Sequence, residues 1–306
     1  MLELKGSVVP LVTPMTHDGQ IDYLALKRLV SWHVEASTNA LVVLGSSGEG
    51  TLLSPEENAD VIRFVIEDCA CQLPVWVGVS DLSISRVNTA IHQAATLGAD
   101  GVMLASPMYV KPSQEGIIRY FTEIADASEL NILLYNVPSR TANHIDVETA
   151  CVLSHHEKII GIKDCDITNE RMRQYQEASH DFEVFSGDDS EILTCIFGGG
   201  AGVVSVLGNI IPEIMTVACD LAALEHFQKA EALCAKWASF VDVLNQLPNP
   251  VAIKWVMAKR GMISPYTRLP LVPLNFDQES LLQDAMSDME PLLNLNPEFV
   301  AFSETD

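Results

Sequence analysis

The chain reads as a (β/α)8 TIM barrel carrying a C-terminal helical appendage. Three observations predict this. Eight short apolar runs of strand length alternate with stretches of helical period through the first three quarters of the 306 residues. No Gly-x-Gly-x-x-Gly follows the first run, so an open doubly wound sheet built around a dinucleotide has no support. The strand signals stop near residue 224, and helical pattern alone follows. Residues 1–225 are therefore expected to form the catalytic barrel and 226–306 a helical region, and the 48% hydrophobic content is enough to bury a large core.

The first strand, residues 7–12, is almost wholly apolar, as a strand buried on both faces must be. Residues 40–44 form the second and run into Gly45-Ser46-Ser47-Gly48-Glu49. Ser54-Pro55-Glu56-Glu57 then supplies an N-cap, a proline at the first helical position and acidic side chains in the first turn, which predicts a helix from Pro55. The third strand falls at 75–78, and the helix after it ends at Leu97-Gly98-Ala99-Asp100, where glycine turns the chain into a fourth strand at 101–105. Ser113-Gln114-Glu115 opens the next helix much as Ser54 does. The remaining strands are assigned to 132–136, 159–163, 183–186 and 202–206. Beyond them helices are expected at 231–244, 250–260 and 278–293, with Leu247-Pro248-Asn249-Pro250 as a break and an acidic tail at the end.

A formal net charge of −23 repels nucleic acid and anionic membrane, so neither is an expected partner, and a small anionic substrate would need local cations. No apolar run reaches membrane-spanning length, and Met1-Leu2-Glu3-Leu4-Lys5 leads into the first strand without signal-peptide organisation; a cytoplasmic protein is expected. The seven cysteines, at 69, 71, 151, 165, 195, 219 and 234, are odd in number and lie in apolar or helical contexts, which predicts buried free thiols. Neither they nor the eight histidines have zinc-ligand spacing; His155-His156 reads as a loop, and no metal is expected.

In a barrel of this kind the C-terminal strand ends converge on one face, where chemistry is placed. Lys163 ends the run Lys158-Ile159-Ile160-Gly161-Ile162-Lys163. In an apolar pocket its ammonium form is disfavoured, its pKa falls, and a free amine can attack a carbonyl. The plainer reading is a lysine that pairs with Asp164 or reaches solvent. Tyr135, on the adjacent strand, either moves protons to and from a carbinolamine or is a core aromatic with a wet tip. The loop at 45–49 lacks the ending of a P-loop, Glu49 would repel phosphate, and neither serine sits in a nucleophile elbow. Its hydroxyls and open N–H groups suit a carboxylate, the alternative being a glycine turn capped by serines. Arg140 can grip a carboxylate in two places, or pair with an acidic neighbour.

Taken together, Gly45-Ser46-Ser47-Gly48-Glu49, Tyr135-Asn136-Val137-Pro138-Ser139-Arg140-Thr141, Gly161-Ile162-Lys163-Asp164, Ser186-Gly187-Asp188-Asp189 and Asn249-Pro250-Val251-Ala252-Ile253-Lys254-Trp255 resemble a known family. They look like the dihydrodipicolinate synthase branch of the pyruvate-dependent class I aldolases, in register from about residue 6 to 273. N-acetylneuraminate lyase belongs to the same superfamily. The resemblance implies condensation of pyruvate with L-aspartate-4-semialdehyde to 4-hydroxy-tetrahydrodipicolinate, in diaminopimelate and lysine biosynthesis. It implies that Lys163 forms an imine with pyruvate, so that neither cofactor nor metal is needed. Ser46, Tyr135 and Tyr109 match a proton relay, in which Tyr109 reaches into the site of a neighbouring subunit. Ser46 and Ser47 match positions that hold the pyruvate carboxylate, Gly187 and Val204 line the pocket, and Arg140 matches the arginine that takes the carboxylate of the second substrate. A homotetramer built as a dimer of dimers is implied as well.

There are departures from the family pattern. Ser46 stands where most synthases carry threonine, as in the lyase branch; Met108 replaces a tyrosine beside Tyr109; and Gly78-Val79-Ser80-Asp81-Leu82 departs from the usual glycine-rich turn. The Ser139-Arg140 pair, absent from the lyase branch, favours the synthase over a related 2-keto acid lyase, aldolase or hydratase, neuraminate lyase-like or a 2-keto-3-deoxy acid aldolase, and the intact set of Lys163, Tyr135 and Tyr109 speaks against a barrel that only binds a keto acid. Positions forming the inhibitor pocket of lysine-regulated members fall on Pro55, Asn58, Leu82, Arg86 and Met108. Leucine and methionine cannot replace the lost hydrogen bonds and arginine repels an ammonium, so lysine is expected to inhibit weakly or not at all.

Overall fold

The computed structural model describes residues 4–178 and 182–293; the acidic C-terminal tail lies outside the described residues. Eight strands, β1 (Gly6–Pro10), β2 (Ala40–Val43), β3 (Val75–Val79), β4 (Gly101–Ala105), β5 (Asn131–Asn136), β6 (Ile159–Asp164), β7 (Glu183–Ser186) and β8 (Gly202–Val204), close a barrel in chain order. Every pairing is parallel, and β8 returns to β1 through Gly6↔Gly202. The expected (β/α)8 architecture is therefore present. β8 is shorter than the apolar run at 202–206, because Ser205 Oγ accepts from the Gly208 N–H at 2.9 Å and turns the chain into a short 3-10 segment. The helix expected at 231–244 is two helices, Phe227–Cys234 and Ala238–Asn245. The break between them drives Trp237 into the core at 1% exposure, a tertiary contact that helical periodicity does not reveal. All seven cysteines are free, but only Cys69, Cys195 and Cys219 are buried; Cys151, Cys165 and Cys234 are half-buried, and Cys71 is exposed, lying past the helix Pro55–Cys69 where Ala70 adopts left-handed backbone.

Alternation along the strands divides the apolar side chains into two sets. Val8, Val42, Trp76, Met103, Leu133 and Phe185 fill the barrel interior, whereas the opposite faces pack beneath the helices in one cluster that also takes in Trp237, Phe240 and Ile253. The C-terminal helices thus share the barrel's outer core. In β5 and β6, Tyr135 is the register partner of Lys163, so both side chains leave the sheet on the same face near its C-terminal end.

The predicted caps are formed. Ser54 and Glu57 make a reciprocal capping box, and Gly98 ends the helix Ile84–Leu97 at φ +95. The loop after β2 lies directly against β3: a Cβ added at Gly78 would sit 2.6 Å from Gly45 Cα, so only glycine lets the loop close there. From the other side the loop is held by an ion pair. Glu49, in left-handed backbone at φ 55, pairs with Lys254 of the helix Val251–Lys259, and both side chains are fully buried. Lys254 also donates to the Tyr266 carbonyl at 3.0 Å, and the second Glu49 oxygen accepts from the Arg268 N–H at 2.9 Å. Glu49 is therefore neutralised, and the phosphate repulsion expected of it from the sequence does not apply.

Removing one partner of a buried pair leaves an uncompensated charge and typically costs about 3–5 kcal/mol. Lys254→Met should accordingly lower the thermal unfolding midpoint well below wild type, and Glu49→Gln/Lys254→Met should recover part of the loss. An unchanged midpoint in the single variant would show that the pair contributes nothing.

Candidate active site

Lys163 projects from β6 at 4% exposure, and its Nζ sits 4.3 Å from the centroid of the Tyr135 ring. Burial holds its pKa below the ordinary lysine value; the charge of Arg140 acts in the same direction, while Cys165, Asp189 and Asp188 oppose it. The neighbouring carboxylate does not rescue the ammonium. Asp164 is buried and accepts from Asn136 Nδ2 at 2.8 Å, Tyr175 Oη at 2.9 Å and Arg171 Nη2 at 2.7 Å. Among the described residues Lys163 has no ion-pair partner, so the simple pairing with Asp164 is not what the fold adopts.

Tyr135 is equally enclosed, and burial raises its pKa above the ordinary phenol value. Its hydroxyl interacts with the Ser46 hydroxyl and with the thiol of Cys165. Ser47 Oγ accepts from Asn249 Nδ2 at 3.1 Å, and Arg140 Nη2 donates to the Asn249 carbonyl at 3.3 Å. Arg140 itself rides on a single helical turn, Pro138–Thr141, that begins with proline directly after β5. Ser46, Ser47, Tyr135, Arg140, Lys163 and Gly187 all line one cavity of about 260 Å³, large enough for small metabolites only. Any Cβ at position 187 would force a neighbouring side chain to shift. A Cβ there would lie 2.2 Å from Cys165 Sγ and 2.9 Å from Lys163 Cε.

Two expected residues stand apart. Tyr109 is 87% exposed, in left-handed backbone at φ 71, and its side chain does not line the cavity of its own chain. Val204 is buried in the interior cluster with Tyr135 and Phe185, and it is Val206, two residues on, that reaches the cavity wall. Sequence reasoning missed Cys165, Asp188, Asn245 and Asn249 as cavity residues. Asp188 and Asn249 lay within motifs already singled out. Asn245 comes from a helix after the barrel, and no local signal marks it. Among the described residues no group of three or more His, Cys, Asp or Glu side chains is arranged to hold a metal ion, and no helix is long and apolar enough to cross a membrane.

Addition of an amine to a ketone needs a nitrogen that is unprotonated near neutrality and a hydroxyl that can pass protons beside it. This barrel sets a lysine whose pKa burial lowers beside a tyrosine hydroxyl at its strand ends, and fold and site together define a lyase of the aldolase class. A profile of the dihydrodipicolinate synthetase family matches residues 3–289. The chain is 38% identical over 284 residues to the 4-hydroxy-tetrahydrodipicolinate synthase of Alcanivorax borkumensis, covering 92% of this chain and 97% of that protein. Among solved structures it is similar to the dihydrodipicolinate synthase of Acinetobacter baumannii complexed with pyruvate, with TM-score 0.91, 35% identity and coverage of 94% of this chain and 99% of that one. It is similar also to the enzyme of Cyanidioschyzon merolae with lysine bound, with TM-score 0.89, 29% identity and coverage of 94% and 98%. The chain belongs to the dihydrodipicolinate synthetase family.

Gly187→Ala is expected to keep the fold, by circular dichroism, while reducing borohydride-trapped pyruvate by more than about tenfold, since a Cβ displaces the Lys163 stem by fractions of an ångström and reaction geometry tolerates little of that. Normal trapping would mean that the stem moves freely. The pH dependence has a definite sign. Because burial lowers the Lys163 pKa, the amine is protonated only as pH falls through that lowered value, so the trapping rate should rise with pH and level off below the pH at which an exposed lysine would.

Proposed function

We propose that this chain condenses pyruvate with L-aspartate-4-semialdehyde to give 4-hydroxy-tetrahydrodipicolinate, through an imine on Lys163. The observation that carries the reading is a desolvated lysine amine over the Tyr135 ring, in a cavity that also presents Ser46, Ser47 and Arg140. Lys163 Nζ adds to the keto carbon of pyruvate, and the carbinolamine loses water as Tyr135, with Ser46, supplies and removes protons. The iminium nitrogen draws electrons from the adjacent methyl group, which loses a proton to give an enamine. The enamine carbon attacks the aldehyde, whose oxygen takes a proton to become the hydroxyl. The amino group of the second substrate then gives up a proton and bonds to the imine carbon, and Lys163 Nζ leaves with a proton. Every step balances with water and protons alone, so the covalent imine stands where other enzymes use a cofactor.

In this reading the serine hydroxyls and loop N–H groups hold the pyruvate carboxylate, Gly187 leaves room for the lysine stem, and Arg140 takes the carboxylate of the aldehyde. Ser46 supplies the hydroxyl that threonine supplies in most synthases. Arg140 favours this reaction over cleavage of a neutral sugar aldehyde. Tyr109, strongly exposed next to the half-exposed Val110, supports an assembly of at least a dimer, with this tyrosine completing the relay of the partner subunit. A dimer of dimers and a cytoplasmic location are part of the proposal.

Borohydride added with pyruvate should fix a three-carbon adduct on Lys163, and turnover should require the aspartate-derived aldehyde and not N-acetylneuraminate. An unmodified Lys163 peptide, or turnover of the sugar acid alone, would overturn the assignment.

We also infer that L-lysine inhibits weakly or not at all. Pro55, Asn58, Leu82, Arg86 and Met108 do line one cavity, of about 610 Å³. Arg86 is held by Asp81 through two bonds of 2.7 Å, so its repulsion of an ammonium is weaker than the sequence alone implies. The same pairing occupies the Asp81 carboxylate, leaving the ammonium without a free anionic partner there. Titration calorimetry should give no binding below the millimolar range; micromolar binding would refute the inference.

A further inference from the structure

Tyr109 stands out from the surface in a backbone conformation that tyrosine rarely adopts. Its φ is 71, and Lys111, next but one along the chain, is at φ 47. Left-handed backbone is costly for both side chains and persists only where neighbouring structure holds it. The holder lies on the next loop. The Tyr109 N–H donates to the Thr141 carbonyl at 3.3 Å. Asn143 Nδ2 donates to the same carbonyl at 3.2 Å and also to the carbonyl of Pro107, just before the tyrosine. One amide nitrogen thus bridges the loop after β4 to the loop after β5. Asn143 Oδ1 is buried and accepts from no described residue, so the two carbonyls orient the amide.

The support beneath Asn143 is itself tied down. The Ile145 N–H donates to Asn136 Oδ1 at 3.0 Å, and the Ile145 carbonyl accepts from Arg171 Nη2 at 3.2 Å. Gln114 Nε2 donates to the His144 carbonyl at 2.7 Å, which anchors the same segment to the helix that follows the Tyr109 loop. Asn136 and Arg171 are also the groups that saturate Asp164. A side chain locked by such a network can fix what it touches. Asn143 lines neither the cavity around Lys163 nor the larger one around Arg86, so its bonds serve the loop rather than a ligand. We propose that Asn143 is the positioning residue that presents Tyr109 to a second copy of the chain. This rests on the reading that Tyr109 completes the relay of the partner subunit, and it adds what holds the tyrosine in place. In a symmetric dimer each Asn143 then acts on the site opposite its own.

The test is a double-mutant cycle on turnover of pyruvate with L-aspartate-4-semialdehyde. Asn143→Ala should lower kcat by about tenfold or more, since a small misplacement of a proton-passing group is costly, and should leave KM for pyruvate within about twofold of wild type. Tyr109→Phe should itself be slow. Adding Asn143→Ala to it should lower kcat little further, because the hydroxyl that Asn143 places is already gone. Asn143→Asp keeps the shape but turns an anion toward two carbonyls. It should be at least as slow as the alanine variant, and it repeats the test should that variant not fold. Normal kcat in both Asn143 variants, or a full further loss in the Tyr109→Phe background, overturns the inference. Tyr109→Phe alone separates the two claims. If it turns over like wild type, the relay reading is wrong and the inference falls with it; if it is slow while the Asn143 variants are normal, only the positioning role is.

Discussion

The arrangement of this site depends on where one buried carboxylate points. Asp164 follows Lys163 directly, and a fold that let them pair would fix the lysine as an ammonium. Instead the strand alternation sends the two side chains to opposite faces, and Asp164 is saturated by Asn136, Arg171 and Tyr175. Arg171 donates to the same Asp164 oxygen as Tyr175, and its own Nη2 also reaches the Tyr175 hydroxyl at 3.1 Å. Breaking into such a network would strand a buried charge, so the partition is stable. Asn136 belongs to β5, so the bond it makes to Asp164 of β6 also locks the register that sets Tyr135 beside Lys163.

The region after the barrel is not a passive attachment. Lys254 buries its charge against Glu49, which holds the loop bearing Ser46 and Ser47 from beneath, while Asn249 reaches Ser47 from the side. Asn245 steadies Asp188 on the opposite wall. Three residues from the C-terminal helices and their connection therefore orient groups that come from two different strand ends. A barrel alone would leave these loops without their outer contacts, and loops with few contacts sample many conformations.

How much of this could be read from the sequence follows from which interactions are local. The eight strands and the caps at Ser54 and Gly98 rest on short-range pattern, and they were legible to within one or two residues. Lys163, Tyr135, Ser46, Ser47, Arg140 and Gly187 were legible because barrel topology brings strand ends together whatever their separation along the chain. Asn245 and the split at Trp237 were not, since both are decided by packing between elements distant in sequence. The buried state of Glu49 was hidden for the same reason: its partner lies 205 positions away. Tyr109 shows the reverse case, a residue whose expected role needs a second chain and which in a single chain simply faces outward.

The electrostatics of the cavity answer two opposing demands. In the proposed reaction the free enzyme needs a neutral amine, which burial favours, yet once the imine forms the same nitrogen carries a positive charge. Burial alone would disfavour that cation as it disfavours the ammonium. Asp188 and Asp189 address the second demand. Both act on Lys163 toward the charged form, although burial pushes the Asp189 carboxyl up to about 6. Fixed negative charge near the nitrogen offsets part of the desolvation that frees the amine and stabilises the intermediate that follows. It is held in place before reaction by the Leu207 N–H at 3.0 Å on one carboxylate and by Ser190 and Asn245 on the other, so little reorganisation is required when the charge appears. The compromise explains why the acidic pair follows the glycine at the end of β7. Gly187 brings the chain close enough to touch the lysine stem, and the next two residues inherit that proximity.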